Sequence, residues 1–306
     1  MTSNSSSSQI EPISFQGWDH CWRIASNEIE LVVTADVGPR VIHCGLRGGQ
    51  NVFKTFENQM GQSGEPSWMI RGGSRIWIGP EDIEASYAPD NGPVDVQVLN
   101  GALVATAAVE PGPRVQKQMI VRVEGSSAEI VHRIKNTGQL PAEFAAWVLT
   151  VMAPGGVAVT SLPPRGTHPE HLAPSNPLVM WRFTDLSDAR WTFLRKYVVL
   201  RQDSTMPSPQ KIGLFNPHTW GAYFLNGDLF VKSYRADPAA RYPDFGCSFE
   251  MFTNQEMLEL ETLGPICRVL PGEWIEHVER WTLRRAAGPS AWTDEELDRP
   301  LGEICT

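Results

Sequence analysis

The chain has 306 residues, 42% hydrophobic and 20% charged, with 35 acidic and 26 basic side chains for a formal charge of -9. That balance is too apolar for a disordered chain, holds no apolar run long enough to span a membrane, and lacks the Lys/Arg blocks that a nucleic-acid backbone requires as partner. Its 26 Gly and 24 Pro point to a turn-rich β protein, and its 11 Trp to large packed sheets, a stacking surface, or both.

Residues 1–15 open with Met1-Thr-Ser-Asn and show neither a basic nor an apolar signal segment, so a disordered polar tail is expected there, with 16–306 as one domain. Short β runs follow at 29–34, 40–46, 94–99, 103–109, 115–123 and 129–134. Further runs lie at 144–151, 197–200, 221–224, 229–232, 247–253, 257–263 and 275–283. In 129–134, period-2 alternation puts Ile130, His132 and Ile134 on one face. Short helices are expected only at 25–27, 80–85 and 292–297. So many strands without a linker predict an all-β, large antiparallel sandwich in a single domain. The segment 160–177 is too Pro-rich for a strand and reads as a long loop.

The five cysteines, at 21, 44, 247, 267 and 305, show no CxxC spacing and read as reduced thiols, which fits a cytoplasmic protein. His168 and His171 are separated by a Pro and have no third ligand, so no metal site is expected. GxGxxG, GxxxxGK[ST], GxSxG and HExxH are all absent from the sequence, and no cofactor is implied.

Three segments concentrate chemistry. The first runs Trp68-Met-Ile-Arg-Gly-Gly-Ser-Arg-Ile-Trp-Ile-Gly-Pro-Glu81 and continues at Tyr87-Ala-Pro-Asp-Asn-Gly-Pro93. Gly72 and Gly73 let the backbone approach a ligand or another strand, Arg71 and Arg75 offer forked donors, and Trp77 a flat face. In the second, Asn254-Gln-Glu256 reads as a hairpin turn, and Glu259 and Glu261 share one face of the strand that follows. Two adjacent carboxylates repel, which raises the pKa of one and suits it to proton transfer; a solvated strand face is the other meaning of the same pattern. The third gathers His218, Trp220, Tyr223, Lys232, Tyr242 and Asp244, a carbohydrate-like mix of rings and polar groups.

The order of these segments resembles the galactose-mutarotase-like (aldose 1-epimerase-like) superfamily. Residues 29–42 followed by Gly48-Gly-Gln-Asn-Val-Phe53 look like the opening of aldose 1-epimerases. Arg71-Gly-Gly is similar to a substrate-binding Arg-Gly-Gly of sugar-phosphate epimerases, and Leu260-Glu-Thr262 to the strand bearing the mutarotase catalytic Glu. The resemblance implies a β-supersandwich with a concave cleft. It implies Glu261 as base and Arg71 as a substrate donor; together with the three segments, the expected site has Glu261, Glu259 and His218 as catalytic groups and is lined by Arg71, Arg75, Trp77, Tyr87, Asp90, Trp147, Trp220, Lys232 and Asp244. It also implies a mono- or oligosaccharide partner, neutral or anionic, and anomeric proton transfer. Mutarotases carry His-Gly-Gly and Asn-His-x-Tyr-Phe where this chain has Asp90-Asn-Gly-Pro93 and Asn136 followed by Ala146-Trp-Val-Leu-Thr150. The general acid therefore falls to His218, Tyr87 or another group. The alternatives are a sugar-binding protein without catalysis and, third, a glycan lyase or hydrolase.

Overall fold

A computed structural model describes residues 8–302 and 304. Period-2 alternation builds its strands. In Ser127–Asn136 every second side chain is buried, so Ala128, Ile130, His132 and Ile134 face inward as expected. Val115–Glu124 does the same with Val115, Lys117, Met119, Val121 and Val123.

The strands form an eleven-stranded and a ten-stranded antiparallel sheet. Leu31, Val33, Leu258 and Leu260 of the first pack with Met119, Ile130, Phe230 and Trp281 of the second. Each such buried side chain contributes about 1.5–3 kcal/mol. The all-β antiparallel sandwich anticipated from the sequence is the observed architecture. Among the described residues, helical structure is limited to a 3-10 turn at Glu57–Gln59 and the helix Asp294–Leu301, capped by Thr293. The helices expected at 25–27 and 80–85 do not form. Ala25 ends a strand, and Asp82 Oδ1 instead accepts the backbone N–H groups of Glu84 and Ala85 in a turn.

The disordered tail expected over residues 1–15 does not extend over Gln9–Phe15. Gln9–Phe15 is an edge strand paired with Trp18–Ala25, because Ile10, Ile13 and Phe15 find apolar neighbours to pack against. Residues 1–7 lie outside the described residues. The centre of the larger sheet holds five neighbouring strands, in the order Gly73–Gly79, Ala142–Met152, Leu258–Leu263, Phe249–Thr253 and Gln210–Leu214.

Candidate functional site

Register aligns the side chains of these five strands into rows on the face turned away from the second sheet. Arg75, Leu149, Glu261, Glu250 and Gly213 form one row. Trp77, Trp147 and Leu263 flank it on one side; Gly73, Val151, Glu259, Phe252 and Lys211 flank it on the other. Glycine is required at 213, where a Cβ would lie 2.4 Å from Cys247 Sγ and 3.3 Å from both the Glu250 side chain and the Trp181 ring.

Lys211 sits at the centre of the charges. Its Nζ donates to Glu261 Oε2 at 2.9 Å and makes an ion-pair contact with Glu250 Oε2 at 2.7 Å. It lies over the rings of Trp147 (5.0 Å) and Trp181 (4.6 Å). Burial works against its charge, but Glu261 and Glu250 win and raise its pKa. Glu261 Oε2 also accepts the Trp147 indole N–H at 2.8 Å, and its Oε1 has no partner among the described residues. Glu250 is raised well above the usual carboxylate range, by burial first and by Glu261 and Asp244 against the pull of Lys211.

Two groups stand apart. Glu259 makes no hydrogen bond among the described residues, and burial followed by the Glu261 charge pushes it up to about 7, against Arg75 and Lys211. The Arg75 guanidinium is 4.8 Å from the Trp77 ring and 5.0 Å from Trp68, yet its Nε and Nη1 have no hydrogen-bond partner among the described residues. Burial and then Arg40 lower it to about 10. An unpaired buried donor costs about 1–3 kcal/mol, more when charged, which makes Arg75 an unsatisfied group in the cleft.

Other expected residues are placed differently. Gly72 and Gly73 serve a strand crossing and not a ligand: a Cβ would meet Lys54 O at 1.9 Å and Val41 O at 2.3 Å. Arg71 is buried and engaged elsewhere, its terminal nitrogens bonded to Glu65, to Gln59 O (2.9 Å) and to Asn91 Oδ1 (3.0 Å). Asp90 accepts from Arg40 Nη2 at 2.8 Å; burial alone would raise its pKa, but Arg40 and then Arg75 hold it low. Lys232 points between the sheets, pairing with Glu279 at 2.7 Å and donating to Thr150 Oγ1 at 3.0 Å. Trp220 belongs to the outer face of the second sheet, packed with Leu297 and Leu301 of the C-terminal helix. His218 begins a strand of that same sheet and is exposed. Neither lines the cleft, because both come from the ten-stranded sheet, on the far side of the core.

Tyr87 does reach the cleft, its ring 4.7 Å from Trp77 and 5.3 Å from Trp68. Its hydroxyl donates to Glu81 at 2.6 Å, and burial with that bond raises its pKa, which makes it a poor acid. Trp77 and Trp147 meet edge to face at 5.2 Å and are buried, so the rings with free surface are the half-buried Trp68, Tyr87 and Trp181. Asp244 borders Glu250 and Lys211, and burial raises it. Lys211, Glu250, Trp68 and Trp181 are additions to the residues expected from sequence. No set of three His, Cys, Asp or Glu side chains among the described residues forms a cation site.

The fold recurs in known structures. A galactose mutarotase-like protein from Lactobacillus casei superposes with a TM-score of 0.58, at 9% identity, over 86% of this chain and 100% of that one. The fold is that of the galactose mutarotase-like proteins. A galactose mutarotase related enzyme from Lactobacillus acidophilus matches with a TM-score of 0.54 and 9% identity, over 87% of this chain and 98% of its own. The Slr1438 protein from Synechocystis sp. PCC 6803 matches with a TM-score of 0.56 and 15% identity, over 90% and 99%. By sequence, no family model and no curated protein matches the chain. The likeness to galactose mutarotase-like proteins is thus one of fold, and the chemistry rests on the cleft itself. No helix is long and apolar enough to cross a membrane among the described residues.

Proposed function

We propose that the chain binds a sugar ring in the concave cleft and transfers the anomeric proton, as an aldose 1-epimerase-type isomerase. The observation that carries this is Glu259: a buried carboxylate without a hydrogen-bond partner among the described residues, pushed to about 7 beside the unsatisfied Arg75. A general base works best when its pKa lies near the working pH. Glu259 takes the anomeric hydroxyl proton, the bond from C1 to the ring oxygen breaks, and the ring oxygen receives a proton. The open aldehyde turns and closes on its other face with both protons returned. Glu250, its pKa raised by burial, is the acid in this scheme, and Glu261, fixed by Trp147 and Lys211, orients the ring.

A neutral aldose fits better than an anionic one. Arg71 is bound to Glu65, Lys232 lies in the core, and Lys211 is shared by two carboxylates. Arg75 remains, and Glu259 and Glu261 already act on it. Non-catalytic sugar binding is the second reading, favoured by the fact that no histidine touches Glu250, Glu259 or Glu261 among the described residues.

Exchange NMR on a panel of aldoses tests both. The protein is expected to accelerate anomer interconversion, and Glu259→Gln to reduce that rate about 10²–10⁴-fold. Binding without acceleration selects the non-catalytic reading, and absence of any sugar binding overturns both.

A further inference from the structure

Beside the Glu259 cleft opens a cavity of about 530 Å³, within the roughly 300–1,000 Å³ of ligand sites, lined in part by Ser175, Phe215, Arg241, Tyr242 and Phe245. Two chain segments lead from it toward the cleft. Phe215 directly follows the strand Gln210–Leu214 that carries Lys211, and Asp244, next to Phe245, borders Glu250 and Lys211.

The wall combines rings with polar groups. Phe215 and Tyr242 meet at 5.3 Å, and Tyr242 is fixed because its hydroxyl accepts the Asp237 N–H at 2.8 Å. Arg241 is two-thirds exposed while bonded to Glu143 at 2.8 Å, which leaves donors free. Phe245 is 92% exposed, an unusual position for a phenyl ring. It is held there by backbone in the left-handed region at two successive non-glycine residues, Asp244 (φ 50°) and Phe245 (φ 60°). Non-glycine residues rarely adopt that region, and such strain concentrates at ligand clamps.

We infer that this cavity is a second sugar subsite, with Phe245 as its stacking face. The ligand is then a disaccharide or longer saccharide whose reducing-end ring occupies the Glu259 cleft. This rests on the ring-binding reading above and deepens it to a substrate class. A flat ring presents an apolar face for the C–H surface of a sugar, and Arg241 and Ser175 supply rim hydrogen bonds to its hydroxyls.

Calorimetry on the full chain with glucose, galactose and xylose, and with maltose, cellobiose, lactose and xylobiose, tests it. At least one disaccharide is expected to bind about tenfold tighter than its reducing-end monosaccharide. Phe245→Ala, at a position too exposed to threaten folding, is expected to remove that gain and leave monosaccharide binding unchanged; Phe245→Trp is expected to retain it. Equal affinities, or a disaccharide gain that survives Phe245→Ala, overturn the subsite while leaving the ring site standing. No binding of either class overturns both.

Discussion

The strand Leu258–Leu263 carries buried charge chemistry on both of its faces, and the two sides are built to opposite rules. On the core side, Thr262 bonds Glu279 and His277, and Glu279 also takes Lys232 at 2.7 Å and the Trp281 indole at 2.9 Å. Lys232 reaches Thr150 Oγ1 and the carbonyls of Val148 and Leu260 besides. On the cleft side, Arg75 and Glu259 are left without hydrogen bonds among the described residues, and one lysine serves two glutamates. The pKa directions follow. Burial alone would raise Glu279, but Lys232 holds it well below the carboxylate range; burial lifts Glu259 to about 7. The core carboxylate and ammonium satisfy each other, although His132 Nδ1 and Nε2 and His277 Nδ1 beside them have no hydrogen-bond partner among the described residues; on the cleft side the unpaired atoms belong to the charged groups themselves.

The sharpest way to break this contrast is to remove one partner on each side. Glu279→Ala strands the Lys232 ammonium in the core and is expected to cost about 3–5 kcal/mol in urea unfolding, much of it recovered in Lys232→Met/Glu279→Leu. If Glu279→Ala unfolds at the wild-type urea midpoint, the core cluster is not structural.

The two sides also pull stability in opposite directions with pH. Glu259 is raised from 4.5 to about 7, so its contribution is complete below pH 4.5 and is lost as pH rises through 7. His277 is lowered from 6.5 to about 3, chiefly by burial, so its contribution is present above 6.5 and is lost as pH falls through 3. The stability of wild type relative to Glu259→Gln is therefore expected to fall by up to about 3 kcal/mol between pH 4.5 and 7. A difference independent of pH would mean that Glu259 titrates as an ordinary surface carboxylate.

Arg75→Met should abolish sugar binding while leaving unfolding stability unchanged or raising it by up to about 2 kcal/mol, since it deletes a buried guanidinium whose Nε and Nη1 have no hydrogen-bond partner among the described residues. A large loss of stability instead would make Arg75 a core element. The smallest effect is expected at His218: His218→Ala should change stability by less than about 0.5 kcal/mol and leave anomer exchange at the wild-type rate. A slowed exchange would bring the second sheet back into the chemistry.

Alternation made much of this legible beforehand. It put Glu259 and Glu261 on one face, and counting outward from the turn at Asn254–Glu256 also places Glu250 opposite Glu261, a signal present in the sequence though easily passed over. Lys211 had no such signal, because Gln210–Leu214 pairs with Phe249–Thr253 across nearly forty residues and is preceded by a Pro-Ser-Pro that reads as loop. Lys232 misled for a related reason. Period 2 tells which residues share a face but not which face meets the other sheet, and that is decided by packing between distant strands. Arg71-Gly-Gly carried the right local geometry, close approach, with another strand as the object approached.

That turn has a consequence for what the sequence can tolerate. Asn254 Oδ1 accepts the N–H groups of Glu256 and Met257, and this small clasp sets the register of the hairpin behind it. A single residue inserted there would exchange the two sides of the strand, driving Glu259 and Glu261 into the hydrocarbon interior and turning Leu258 and Leu260 out to water. Length at this turn is therefore expected to be nearly invariant among relatives that keep the cleft, even where every residue in it has changed.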